Sequence, residues 1–154
     1  MKRRHSRKDA IAFAAQTQAM RPDLVLGADF IVGFPTESED AFLRTLDLVD
    51  ACNLSLLHVF PFSAREGTPA ARMPALPKTV RKERAARLRQ KGEDALQQCL
   101  QQHIGRSVTV LVETEGVGKT EHYLSAYVIG ATKDSTVING RVTAIEKSTL
   151  CVAP

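Results

Sequence analysis

An α/β unit followed by a small antiparallel β-barrel, α/β plus all-β in chain order, is the fold class this sequence predicts, and three observations carry it. Two apolar runs, at 24–32 and 54–62, each end in a Gly/Pro-rich loop and enclose one helical stripe. That is the pattern of a βαβ unit whose ligand-facing loops lie at the C-terminal ends of parallel strands. A long basic helical stretch follows, and beyond Gly105 the apolar period changes from helical to alternating.

The elements follow in order. Ser6 with Asp9 is a helix start signal, and the helix should run to Met20, because Pro22 biases Arg21 away from helical backbone. The nearly continuous apolar run from Leu24 to Val32 predicts a strand covered on both faces. Gly33-Phe-Pro turns the chain, and Thr36 with Glu39 predicts a second capping box. Phe42, Leu43, Leu46 and Val49 then form the buried stripe of a helix ending near Ala51. Leu54 to Phe62 predicts another buried strand, which would place His58 in a core. Glu37 could hydrogen-bond a ligand or, within the first turn of the helix, complement its dipole, and the structural role is the one expected.

A loop of about fifteen residues comes next, with Gly67, Pro69, Pro74 and Pro77. Loops of that length are usually functional or act as linkers. The helix from about Lys78 to His103 should direct Ala85, Leu88, Ala95, Leu96, Cys99 and Leu100 to a core, with Gly92 as a point of bending. In the remainder, Val108, Val110 and Val112 alternate with Thr109 and Leu111, followed by Tyr123, Ser125 and Tyr127 and by two more apolar runs. Asn139-Gly140 predicts a two-residue hairpin, since both central residues of that turn need positive φ. Several short strands in about fifty residues indicate a small antiparallel barrel. The expected division is 1–77, 78–103 and 104–154.

Composition narrows the functional classes. With 154 residues, 44% of them hydrophobic and 25% charged, the chain suits one ordinary core or a partial domain plus a small one. No apolar run approaches the ~18 residues of a membrane span. The basic start is followed by an amphipathic helix rather than the apolar stretch of a signal peptide, so a cytoplasmic location is expected. Cys52, Cys99 and Cys151 are odd in number and far apart, which argues against a disulfide framework or a metal knuckle. His5, His103 and His122 likewise lack metal-site spacing.

The net charge of +4 is unevenly spread. Five of the first eight residues are Lys or Arg, and seven basic residues between Lys78 and Lys91 face a single acidic one, Glu83. From Ile104 onward five positive charges balance five negative ones. Such a pattern fits contact with a polyanion such as RNA, or simply solvated helix faces. Gly116-Val-Gly-Lys-Thr120 resembles part of a phosphate-binding loop, but the first glycine that motif needs is replaced by Glu113, and a strand-like segment follows it.

The wording of two segments goes further. Asp29-Phe-Ile-Val-Gly-Phe-Pro-Thr-Glu37 and Phe62-Ser-Ala-Arg-Glu-Gly-Thr-Pro-Ala70 closely resemble the last barrel strands of the radical S-adenosylmethionine (SAM) tRNA methylthiotransferase family. The resemblance implies the C-terminal fragment of a radical-SAM (β/α) half-barrel, and it covers nearly the whole chain. Met1-Lys-Arg-Arg-His-Ser resembles the family's step after the fourth strand, which puts Arg3 on the cofactor side. Ile31, Val32 and Gly33 match the fifth strand, whose backbone and apolar side chains pack on the SAM adenine. Gly33, lacking Cβ, lets a flat ligand or another backbone approach. Phe60, Pro61 and Phe62 match the sixth strand, and Arg65-Glu-Gly-Thr-Pro resembles a loop near the substrate opening.

The segment 104–152 is similar to a TRAM domain, an RNA-binding module, with Lys119-Thr-Glu-His-Tyr123 matching one of its elements. Within the family the wording is nearest the branch acting on threonylcarbamoyladenosine in tRNA, the MtaB type. The resemblance implies tRNA as partner, with Arg65, Arg84, Arg87, Lys91, Arg106, Lys119, Tyr123 and Arg141 as candidate contacts. Tyr123 and Tyr127 are read equally well as base-stacking platforms or as core filler. Family members also bind 4Fe-4S clusters through an N-terminal domain and a cysteine triplet. Neither is in this sequence, and thiolates are needed to hold such a cluster. The expectation is therefore a partial SAM site, a missing N-terminal half carrying the clusters, and a chain inactive alone. The alternative is a non-enzymatic RNA-binding module or an inactive remnant.

Overall fold

The computed structural model describes residues 4–131 and 136–154, which form two compact units dividing after Ala95. Arg3, expected near the cofactor, lies outside the described residues. No helix among the described residues is long and apolar enough to cross a membrane.

The first unit contains α1 (Arg7–Met20), β1 (Leu26–Val32), α2 (Glu39–Ala51), β2 (Leu54–Pro61), a 3₁₀ turn (Pro69–Arg72) and most of α3 (Lys78–Gln101). The capping box of α1 forms as its residues predict: Ser6 Oγ accepts from the Asp9 amide at 3.3 Å, and Asp9 Oδ2 accepts from the Ser6 amide at 2.8 Å. The bond from the Ser6 amide, joined by one from the Ser6 hydroxyl to the same oxygen at 2.8 Å, holds the Asp9 carboxyl below its ordinary pKa. The cap of α2 is Ser38 rather than Thr36, with Ser38 Oγ accepting from the Ala41 amide at 3.1 Å. Thr36 is used up in a turn closed by Glu37 N–H donating to the Phe34 carbonyl at 2.8 Å, so the helix begins two residues later.

β1 and β2 pair in parallel, with Asp29 opposite His58 and Ile31 opposite Phe60. The expectation of strands buried on both faces is corrected here. On β1, Leu26, Ala28 and Phe30 pack toward a core of Val32, Phe42, Val49, Leu54, Val59 and Leu88, whereas Gly27, Asp29 and Ile31 face outward. His58 and Phe60 are exposed on β2, so His58 is not a core histidine. An apolar run identifies a strand but cannot count the layers above it. Leu43 also departs from the predicted stripe, being 41% exposed. Gly92 does not end or break α3; a Cβ there would meet Leu57 Cδ1 at 2.9 Å, so the glycine permits close packing of the helix on β2.

The second unit holds the last turn of α3 and five strands, β3 (Ser107–Thr114), β4 (Val117–Thr120), β5 (Ser125–Val128), β6 (Thr136–Glu146) and β7 (Thr149–Ala153). They close into a barrel in the order β3-β4-β5-β7-β6. Val108, Val110, Val112, Leu124, Ala126, Val128, Val142, Leu150 and Val152 fill it, each at most 4% exposed. The barrel is not wholly antiparallel, because β5 and β7 run parallel. Strand direction cannot alternate around a closed ring with an odd number of members, so one parallel pair is unavoidable.

Asn139-Gly140 is not a hairpin. Both residues lie inside β6, where Gly140 pairs with Val108. A Cβ on Gly140 would come 2.5 Å from the Ala153 carbonyl oxygen and 2.6 Å from Val152 Cγ1, so glycine is needed there for strand crowding rather than for a turn. The reversal occurs instead at Lys147 and Ser148 (φ 45° and 64°), and between β3 and β4 at Glu115 and Gly116 (φ 48° and 80°). Both pairs show the positive φ that two-residue hairpins demand. Gly116 thus belongs to a hairpin and Val117–Thr120 to a strand, which leaves no phosphate-binding loop.

Lys147 and Ser148 hold left-handed backbone without the residue types that favour it, at a cost of roughly 1–2 kcal/mol for an ordinary L-residue. Replacing Lys147 alone (K147N) keeps the 2.6 Å bond from the Gln97 amide to the Ser148 hydroxyl and should stabilise the barrel by about 0.5 kcal/mol. A thermal melt of the full chain followed through its β-sheet signal checks this, and an unchanged or lower midpoint contradicts the turn assignment.

Candidate functional site

The candidate site lies at the C-terminal ends of β1 and β2. Ile31 (42% exposed) and Phe60 (53%) stand side by side on the uncovered sheet face. Asp29 and His58 are the next register pair on that face, giving it a polar neighbour that sequence reasoning did not single out. The signal was available: alternate positions on two parallel strands share a face once the sheet is known to be covered on one side only. Val32 is fully buried, so only its backbone faces the strand ends. Its carbonyl accepts from the Phe62 amide at 2.8 Å, which extends the pairing of the two strands into their loops. Phe34 and Phe62 then meet edge to face, with centroids 5.2 Å apart at 75°. A hollow of about 300 Å³ opens among Phe30, Ile31, Phe34, Thr36, Glu37 and Thr45.

Gly33 (φ 76°) is held by a chain of hydrogen bonds leading back to α3. Its N–H donates to Glu37 Oε2 at 2.7 Å. Arg84 Nη1 donates to the same carboxylate oxygen at 2.7 Å and to the Glu37 carbonyl at 2.8 Å, while Nη2 reaches Glu39 Oε2 at 3.1 Å. Both side chains of the Arg84–Glu37 pair are largely buried, at 6% and 12% exposed. Glu37 therefore precedes α2 and pins Gly33, instead of complementing the helix dipole from within the first turn. Arg81 donates to the Phe62 carbonyl at 2.7 Å and to the Leu76 carbonyl at 3.2 Å. A Cβ on Gly33 would lie 2.5 Å from Arg81 Cγ, so the close approach at this glycine is made by that side chain, not by a flat ligand.

The basic face of α3 is thus engaged with its own unit. Arg84, expected to touch RNA, is corrected to a buried clamp. Arg87 donates to Glu39 Oε1 at 2.7 Å and lies 4.8 Å from the centroid of the Phe42 ring. Lys91 pairs with Asp50 at 2.7 Å, and Arg89 donates to the Val59 carbonyl at 3.1 Å. Charge counting overestimated the free positive surface because the partner carboxylates, Glu37, Glu39 and Asp50, are over thirty residues away in sequence.

Other candidate contacts lie elsewhere. Arg65 is exposed in the loop after β2. In the second unit Arg106 and Arg141 are exposed, and Lys119 donates to Ser125 Oγ at 2.9 Å. Tyr123 is 74% exposed and Tyr127 42%, so neither ring fills the barrel. Cys52 and Cys151 are buried, and burial pushes both thiols upward. Among the described residues no three His, Cys, Asp or Glu side chains gather as a metal-binding group.

No family model matches the chain. It is 48% identical over 124 residues to the threonylcarbamoyladenosine tRNA methylthiotransferase MtaB of Rickettsia prowazekii, a match covering 80% of this chain and 30% of that protein. The chain is homologous to tRNA methylthiotransferases. It is also 36% identical over 157 residues to the tRNA-2-methylthio-N(6)-dimethylallyladenosine synthase of Cereibacter sphaeroides, covering 97% of this chain and 36% of that protein. With the synthase of the same name from Acetivibrio thermocellus it shares 36% over 140 residues, 90% of this chain and 28% of that protein. The chain therefore spans about a third of the length of the curated relatives it matches.

Arg84→Ala should destabilise the first unit of this methylthiotransferase homologue by about 3–5 kcal/mol, since it strands the Glu37 carboxylate in a buried position. Adding Glu37→Gln should recover part of that loss; purely additive effects in a urea-unfolding cycle would show that the two groups do not act as a pair.

A second test uses pH. The hydrogen bond from Arg87, with a smaller contribution from Arg84, holds Glu39 below its ordinary carboxyl value of 4.5. A depressed folded-state pKa gives stability that is complete above the unfolded value and lost as pH falls through the folded one. Arg87→Gln should therefore lower stability at pH 7 and flatten the acid limb below about pH 4.5. Parallel acid limbs in the variant and the parent would refute the assignment.

Proposed function

We propose that this chain is the C-terminal portion of a radical-SAM tRNA methylthiotransferase. It would form the end of the catalytic half-barrel, residues 1–77, joined by the helix 78–103 to a TRAM-like RNA-binding barrel, residues 104–154. The observation that carries the reading is the pair of loop-bearing strand ends at Gly33 and Phe62, braced from α3 beside an uncovered apolar sheet face, in a chain 48% identical to a tRNA methylthiotransferase. The parent reaction adds a methylthio group to a modified adenosine near the anticodon. The higher identity to MtaB than to the dimethylallyladenosine synthases favours threonylcarbamoyladenosine as that nucleoside.

The residues fit a partial SAM site. Ile31 and Phe60 offer an apolar surface for the adenine, while Val32, Gly33, Pro61 and Phe62 shape the backbone around it. SAM bound beside a cluster supplies the radical that starts the reaction. This chain's part is to seat the adenosyl group and shield it from water. The 4Fe-4S clusters do not fit it, since two of its three thiols are buried and burial disfavours their thiolates. Their ligands would come from a missing N-terminal half, and the chain alone would be inactive.

For the RNA, Arg65, Arg106, Lys119, Tyr123 and Arg141 remain open to contact. Arg87 and Lys91 must first give up their carboxylates. The proposed place of action is the cytoplasm. A second reading, a non-enzymatic RNA-binding module, is favoured by one observation: the barrel is closed and has its own core.

Titrating the purified chain with tRNA at several salt concentrations tests the RNA role. Affinity should fall as salt rises, with a slope reflecting the few phosphates contacted, and no binding at low salt would remove the RNA-binding role. Iron and sulfide analysis should find no stoichiometric cluster; finding one would overturn the inactive-alone reading.

A further inference from the structure

Among the described residues, β1 pairs with β2 along one edge and has no strand on the other. That second edge lies in a groove. A hollow of about 760 Å³ follows residues 26–30, walled by Ala10 and Phe13 of α1 and by Leu48 of α2. It shares Phe30, Ala41 and Thr45 with the hollow of about 300 Å³ at the strand's C-terminal end, so the two are continuous along β1. Gly27 and Asp29 line it from one face of the sheet, Ala28 and Phe30 from the other, which places the opening at the strand's edge.

Backbone direction gives the groove a purpose. The Val32 carbonyl accepts from the Phe62 amide and therefore points to β2. Successive residues of a parallel strand turn their N–H and C=O groups to opposite edges, so those of Ile31, Asp29 and Gly27 enter the groove. The next residue of that set, Gly33, donates its N–H to Glu37 Oε2 at 2.7 Å, and the carboxylate closes the row. Peptide groups presented along an open edge are a template for another strand. α1 adds an independent observation. Of its 14 residues only Ala14 is buried, and Phe13, which walls the groove, is 68% exposed. A helix this short is held by packing rather than propensity, so α1 awaits part of its contact surface.

Handedness indicates the occupant. α1 and α2 cover the same face, since Ala14 joins Val32, Phe42 and Val49 in one core. A right-handed crossover with its helix on that face carries the chain across the sheet in one direction, here from β1 through α2 to β2. The same hand applied to a strand feeding α1 sets it on the opposite side of β1, parallel to it and inside the groove. The chain spans about a third of its curated relatives, so a protein of their length has such a segment to offer. We infer that this groove receives a parallel β-strand from a separate polypeptide, the remaining part of a methylthiotransferase, so that two chains build one sheet. The strand would bond the peptides of Gly27, Asp29 and Ile31 and lay its apolar side chains against α1 and α2. The inference rests on the C-terminal-portion reading above and deepens it by naming the surface through which the other part joins.

The test is co-expression of the full chain with the portion of the Rickettsia MtaB that it does not match, carried as a separate tagged polypeptide. Size-exclusion chromatography should give a one-to-one complex. Amide hydrogen exchange over residues 26–32 should slow about tenfold or more relative to the chain alone. Phe13→Glu, at an exposed site, should leave the thermal melt of the chain unchanged and weaken association about tenfold. No association, association that leaves exchange at 26–32 unchanged, or a Phe13→Glu chain that associates as tightly as the parent overturns the inference. Self-association of the chain alone that protects 26–32 assigns the groove to a second copy and likewise overturns it. The salt titration with tRNA is read separately: tRNA binding without a complex leaves the RNA-binding reading standing, and a complex without tRNA binding removes that reading while supporting the inference.

Discussion

The first unit depends on how a buried guanidinium is satisfied. Arg84 cannot leave water without partners, and it takes them from the segment joining β1 to α2, where Glu37 presents both its carbonyl and its carboxylate. That carboxylate in turn fixes the amide of Gly33, so one arginine on a distant helix sets the peptide at the end of the strand. The remaining Nε of Arg84 is buried without a hydrogen-bond partner. This cost is tolerated because the other donors are charge-assisted and hold geometry as well as energy. Arg81 does for the β2 loop what Arg84 does for the β1 loop, through the Phe62 carbonyl. The basic stretch of α3 is thus a row of braces for two loops and a helix, and its surplus charge is largely internal to the unit.

The barrel is governed by a different constraint, the parity of its strands. Five members force one parallel pair, and β7 can reach β5 only after β6 has crossed the ring. That crossing lengthens β6 and brings its middle against β7, where Gly140 leaves room for the Ala153 carbonyl and the Val152 side chain. Steric room, not turn geometry, explains the glycine. Its neighbour Asn139 faces outward and accepts a hydrogen bond from Thr109 Oγ1 at 2.7 Å, so even the asparagine that looks like half a turn is engaged across strands.

These two constraints bear on function differently. The braces on Gly33 and Phe62 fix the backbone at the two strand ends, a rigidity that the proposed cofactor site would use. The barrel instead devotes its buried polar contacts, around Thr120, to holding a turn that displays Tyr123. One unit fixes the backbone of two strand ends, and the other leaves side chains exposed around a closed barrel.

Local elements were legible in the sequence because their causes are local. The Ser6–Asp9 box, the Pro22 stop, the two apolar strands and the alternating valines of β3 each depend on neighbours a few residues away, and the wording around Gly33 and Arg65 marked the family. Long-range pairing was beyond that reach. Whether His58 is buried depends on which sheet face the helices cover. Whether Arg84 meets RNA or carboxylate depends on Glu37, forty-seven positions away. Whether Asn139-Gly140 turns or runs straight depends on what lies across the barrel. Element types, their order and kinship can be read from neighbours along the chain; which charges are satisfied internally and which aromatic rings stay exposed emerges from packing, because burial belongs to the assembled chain and not to any residue within it.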